Sequence, residues 1–217
     1  ITALPAWLRH DSAKNLLRLS PGYILQVHSL HLPKNGGLTG LMDMHETQAA
    51  VARAVEIGVP FRVALPTYSC VVEFADDGRV REVHGEDMPA GLALSARSYA
   101  VLDSDAYALS ALVADWRAHA SPLMQAIIWY RLPVRGDRLN WSAGLLTQVA
   151  AGETLRRGWV AAVRPDKEGH CEIILQQKGE APDDLPREVL VSWQGGEAEG
   201  CDDDGGEHDL EHGEVTK

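Results

Sequence analysis

The sequence predicts an α/β protein in which parallel strands are followed by a small antiparallel β module and an acidic tail. Three observations point there. Apolar segments of strand length run from Tyr23 to Leu30, Phe61 to Leu65 and Ala126 to Leu132. Helical patterns lie between and after them, and beyond about residue 155 the chain turns to short strands split by turns. Near-continuous apolar strands suit a sheet buried on both faces, which is the parallel case.

Each element has its own local reason. The stretch Leu4 to Leu19 carries Leu8, Leu16, Leu17 and Leu19, with Asp11 and Ser12 as caps, and reads as one or two short helical turns. Pro21-Gly22 breaks it before the first strand, and Asn35-Gly36-Gly37 marks a loop after that strand. Met44 to Gly58 is the clearest helix. Asp43 caps it, Glu46 completes a capping box, Val51, Ala54 and Val55 form the apolar stripe, and Gly58 stops it. After the second strand, Val71 to Phe74 and Val80 to Val83 flank Asp77-Gly78, predicting a β-hairpin excursion near 69–84. Asp103 or Ser104 is expected to cap the next helix, with Leu109, Leu112, Val113 and Trp116 inward and Ser121-Pro122 ending it. The last helix runs from Ser142 to Ala151, burying Leu145, Leu146 and Val149 before Gly152. Trp159 to Val163, Glu172 to Gln176 and Glu188 to Trp193 then form the β module.

The implied organisation is an α/β domain over 1–154, a β module over 155–195 and a disordered tail over 196–217. Three parallel strands leave unpaired edges and a small core, so the natural completion is a (β/α) TIM-type barrel, of which these would be the last three or so β/α units. A doubly wound sheet is the rival, but Gly36-Gly37 lacks the spacing of a dinucleotide-binding loop.

Composition excludes several functions. The 217 residues are 45% hydrophobic and 24% charged, with no apolar run near the ~18 residues a bilayer demands. Twenty Lys and Arg against 31 Asp and Glu leave a net charge of -11, so no nucleic-acid partner is expected. Nine of those acids and one base fall in 197–217, a net of -8, leaving the body near neutral. Cys70, Cys171 and Cys201 have no ligand spacing, and His208 and His212 read as part of a solvated tail. Neither a metal nor a cofactor is expected. Ile1 opens the chain with no visible signal peptide, and the missing initiator Met suggests a processed or partial chain whose longer precursor could be exported.

In a barrel, chemistry sits at the carboxyl ends of the strands. That rule selects His28, Ser29 and His31, then Thr67 and Tyr68, then Tyr130 and Arg131, with Asp137, Arg138, Asn140 and Trp141 in the loop beyond. The candidate substrate-binding set is His28, Tyr68, Tyr130, Arg131, Asn140 and Trp141, and the candidate catalytic residue is Asp137. Rings with hydrogen-bonding and cationic groups suit a carbohydrate, whose C–H faces stack while its hydroxyls bond directionally. Plainer readings stand beside this one. His28 is equally a core histidine, Arg131 an ion-pair partner of Asp137, Asn140 or Ser142 a helix cap, and Trp141 packing. Glycoside hydrolysis normally needs two facing carboxyl groups, and only Asp137 has a strand-end argument.

The segments Leu17 to Tyr23, Leu25 to Leu30, Pro60 to Tyr68, Trp129 to Pro133 and Asp137 to Trp141 resemble the bacterial domain of unknown function 3142 family. The resemblance covers roughly residues 4 to 195. It implies an exported or lipid-anchored protein of unassigned activity with a glycosidase-like barrel, and it assigns no catalytic residues. The functional expectation is carbohydrate binding or processing; the alternative is a non-catalytic envelope or interaction protein.

Overall fold

The computed structural model describes residues 1–28, 40–75, 77–85, 99–165 and 171–181. Strands β1 (Thr2–Ala3), β2 (Tyr23–Gln26), β3 (Phe61–Pro66) and β7 (Met124–Tyr130) form one sheet in that order, every pair parallel. Helix α1 (Asp11–Arg18) connects β1 to β2, and α2 (Met44–Ile57) connects β2 to β3. Helix α3 (Ala106–His119) precedes β7, and α4 (Ala143–Ala151) follows it. The protein is thus mixed α/β, with a parallel sheet and smaller antiparallel sheets.

The parallel sheet has four strands where three were expected. β1 is two residues long, too short for any periodicity to reveal, yet Thr2 and Ala3 pair with Ile24 and Leu25. β7 also sits two residues earlier than its apolar run suggests, so Arg131 and Leu132 lie beyond the strand. The described strands make an open sheet; closure into a barrel is not among their pairings.

The excursion after β3 is larger than a hairpin. β4 (Cys70–Phe74) pairs with β5 (Val80–His84) on one side and β6 (Tyr99–Leu102) on the other, both antiparallel. β6 was not foreseen. The β module begins as expected, with β8 (Trp159–Pro165) antiparallel to β9 (Cys171–Gln177). The predicted strand from Glu188 to Trp193 and the tail lie outside the described residues.

Capping explains several boundaries. Asp43 accepts from the Glu46 amide and Ser142 from the Leu145 amide, as their side chains predict. Two other assignments need correction. Neither Asp11 nor Ser12 caps α1: Asp11 is its first residue and His10 precedes it. Helix α3 is capped by Asp105, not Asp103 or Ser104, with Asp105 accepting from the Ala108 amide. Ser104 is occupied elsewhere, donating to the Tyr68 carbonyl at 2.7 Å. Gly58 and Gly152 both end helices in the left-handed region. Gly152 also lets α4 approach α3: a Cβ there would lie 3.0 Å from Ala114 backbone atoms.

The main core joins Leu25, Phe61, Val63 and Leu65 of the parallel sheet to Ala50, Ala54 and Ile57 of α2 and Leu109, Leu112, Val113 and Trp116 of α3. The buried side of α2 is Thr47, Ala50, Ala54 and Ile57, so the expected Val51 and Val55 sit at its half-buried margin. Leu146 is likewise half-buried, while Leu145 and Val149 are inside. A second, smaller cluster of Leu41, Cys70, Val72 and Leu102 supports the antiparallel sheet.

Candidate functional site

Parallel register decides what meets at the carboxyl edge. Because Gln26 pairs with Ala64 and Pro66 with Tyr130, the residues following β2 and β3 emerge beside the end of β7. His28, Tyr68 and Tyr130 meet there as three rings. The His28 and Tyr130 rings stack at 5.2 Å, and Tyr68 stands edge-on to both at 5.8 Å. His28 Nδ1 is 3.3 Å from the Tyr68 hydroxyl. Burial is graded across the group. His28 is 3% exposed, Tyr68 is half-buried and Tyr130 is 55% exposed, so a buried imidazole backs a ring that faces solvent.

Burial also sets the protonation of this group. Desolvation lowers the His28 pKa from 6.5 to about 4, keeping the imidazole neutral at neutral pH. Desolvation likewise pushes the Tyr68 phenol up to about 12; Cys70 and Tyr130 reinforce it, and the Arg131 charge opposes it. Neither ring is a ready proton donor or acceptor at pH 7. Both are suited to neutral hydrogen bonding.

Arg131 begins the loop beyond β7 and is held from two sides. Its Nη2 donates to both Asp137 carboxylate oxygens at 2.8 and 2.7 Å, while Nη1 donates to the Gly85 carbonyl at 2.8 Å. The Leu139 amide donates to the same carboxylate at 3.0 Å. The Asp137 side chain is 6% exposed and that of Arg131 26%, so a buried carboxylate is bridged through both oxygens by one nitrogen of a partly exposed guanidinium. The loop then folds back along the end of β3. Trp141 N donates to the Thr67 carbonyl, Ser69 N to the Leu139 carbonyl, and Asn140 forms an isolated bridge with Tyr68. Thr67 Oγ1 and Asn140 Nδ2 both donate to the Arg131 carbonyl. Among the described residues, His28 Nε2, Arg131 Nε and Asn140 Oδ1 are buried without a hydrogen-bond partner.

The predicted residues therefore divide into two groups. His28, Tyr68, Tyr130, Arg131 and Asp137 form the rim. Arg138, Asn140 and Trp141 line a neighbouring cavity of about 630 Å³, which is also bounded by Tyr107 of α3, Arg157 and Glu180. Asn140 joins the two through its bond to Arg131. Trp141 is 7% exposed and leans on Trp129 at 6.3 Å, with Nε1 donating to the Ser104 carbonyl. It packs the core as well as bounding the cavity. Ser29 and His31 lie outside the described residues. Gly85 and Ser104 were not foreseen as partners of the site, because each contributes through a contact far away in sequence.

Parallel strands with their polar tips on one edge and a ring cluster on that edge define an α/β domain with a candidate binding rim. Residues 1–135 match the family described as "Domain of unknown function (DUF3142)", and the chain belongs to that family. The match ends earlier than the expected 195, so Asp137, Asn140 and Trp141 fall beyond it. No curated protein is similar enough to count as a match. Among solved structures the chain is similar to chitinase ChiA74 from Bacillus thuringiensis, at 8% identity and a TM-score of 0.43. That similarity covers 81% of this chain and 40% of the chitinase, so the chain spans well under two-thirds of that protein. No helix among the described residues is long and apolar enough to cross a membrane.

Proposed function

We propose that the rim binds carbohydrate, with the exposed face of Tyr130 as the stacking surface. One observation carries this reading: a half-exposed ring stacked on the buried His28 imidazole, flanked edge-on by the half-buried Tyr68 and followed in the chain by the fixed Arg131. Such a ring is held at little conformational cost, which favours binding of a ligand with an apolar face. Arg131 and Asn140 supply directional hydrogen bonds to hydroxyls, and His28 and Tyr68 hold the ledge.

In this reading Asp137 is a positioning residue, because both its oxygens are engaged by Arg131. As a catalytic acid it would first have to release that guanidinium. Isothermal titration with a panel of soluble oligosaccharides tests binding, and release of chromophore from aryl glycosides tests catalysis. Tyr130→Ala is expected to abolish binding. Asp137→Asn is expected to weaken it, and hydrolysis that disappears in Asp137→Asn while binding persists would restore Asp137 as a catalytic group.

A second reading, a non-catalytic surface for a protein partner, draws on Leu132 and Val134. These follow Tyr130 directly and are 67% and 69% exposed. Leu132→Ser with Val134→Ser separates the two, since it leaves the Tyr130 ledge in place.

A further inference from the structure

Outside the ring cluster, the antiparallel sheet breaks a rule of strand pairing. Glu73 of β4 and Glu82 of β5 are direct cross-strand partners. Like charges in that position repel and ordinarily weaken a sheet. His84, two residues beyond Glu82, lies on the same face because strand side chains alternate. Its Nε2 is 3.1 Å from Glu73 Oε1 and 3.8 Å from Glu82 Oε2. One imidazole between two carboxylates leaves net negative charge even when it is protonated.

We propose that Glu73, Glu82 and His84 form a binding site for a divalent ion of the zinc class. One ligand atom from each residue lies within 4.8 Å of the other two. Ligands about 2.0 to 2.2 Å from a common ion lie at most about 4.4 Å apart, so a small side-chain adjustment closes the set. The imidazole distinguishes this site from an acidic patch and selects zinc, cobalt or nickel over magnesium or calcium. Half-buried Glu73 and His84 supply a fixed base, while the Glu82 side chain, 63% exposed, leaves a position open to water. Gly85, the residue after β5, holds Arg131 through its carbonyl, so the site adjoins the candidate binding rim.

The test uses the full chain with His208→Ala and His212→Ala, which removes the tail histidines as competing ligands. Titration with zinc chloride, monitored by calorimetry, should give one ion per chain. His84→Ala and Glu73→Gln should each weaken that affinity at least tenfold. Glu82→Gln provides the decisive second measurement. It relieves the opposed charges, so the metal-free protein should melt no lower than its parent while zinc affinity falls. Zinc binding that is absent in this background, or unchanged by His84→Ala, overturns the proposal. So does a Glu82→Gln protein that loses thermal stability without zinc, because His84 would then be a simple ion-pair strut.

Discussion

The parallel sheet and the three-stranded antiparallel sheet solve the same problem with different resources. In the parallel sheet, Leu25, Phe61, Val63 and Leu65 are at most 1% exposed and meet helices α2 and α3. The antiparallel sheet sets Cys70 and Val72 against Leu41 and Leu102, while Glu73, Glu82 and His84 stand together away from that cluster. The parallel sheet brings its polar groups together where the strands end, so it carries its candidate site at the carboxyl edge. A sheet with one charged face can carry a site in its middle. Two kinds of burial thus give two kinds of candidate site within one chain.

Mutations can sharpen that contrast. Leu65→Ala should have the largest effect, a loss of about 4 kcal/mol in urea unfolding, because a fully buried side chain leaves a cavity between sheet and helices. Asp137→Ala should cost about 3 kcal/mol by leaving the Arg131 guanidinium without its carboxylate partner. His28 gives a pH signature. Its pKa is lowered on folding, so the folded state gains stability from the neutral ring above pH 6.5 and loses it as pH falls toward about 4. That loss should reach about 3 kcal/mol, and His28→Phe should flatten that part of the stability profile. Val72→Ala, in the smaller cluster, should cost about 1.5 kcal/mol, less than the same change at Val63. An equal loss at Val63 and Val72 would remove the distinction between the two sheets. Ser142→Ala should cost least, about 1 kcal/mol, through the lost cap on α4.

The same contrast decides what was legible beforehand. β2, β3 and β7 announce themselves as apolar runs, although only β3 is buried along most of its length; β2 alternates buried with half-buried residues, and none of β7 is fully buried. β1 cannot, since two residues carry no period. Asp103, Ser104 and Asp105 are all competent caps, and only the distant Tyr68 carbonyl, by engaging Ser104, shows how the competition resolves. The rim residues follow from the strand-end rule, whereas their division between ledge and cavity depends on how the 135–141 loop folds back on β3. The pairing of Glu73 with Glu82 is latent in the Asp77-Gly78 turn. A two-residue count about that turn already opposes the two; the register shift between Glu73 and Phe74 changes the pairing nearer the turn, where Phe74 meets Val80.

The direct test of the central claim is calorimetric titration of soluble oligosaccharides into the full chain and into Tyr130→Ala, each first shown to unfold at the same temperature. Saturable binding to the parent that vanishes in the variant is the predicted result. Binding of equal strength to both proteins, or to neither across the panel, would contradict a carbohydrate site on this ledge.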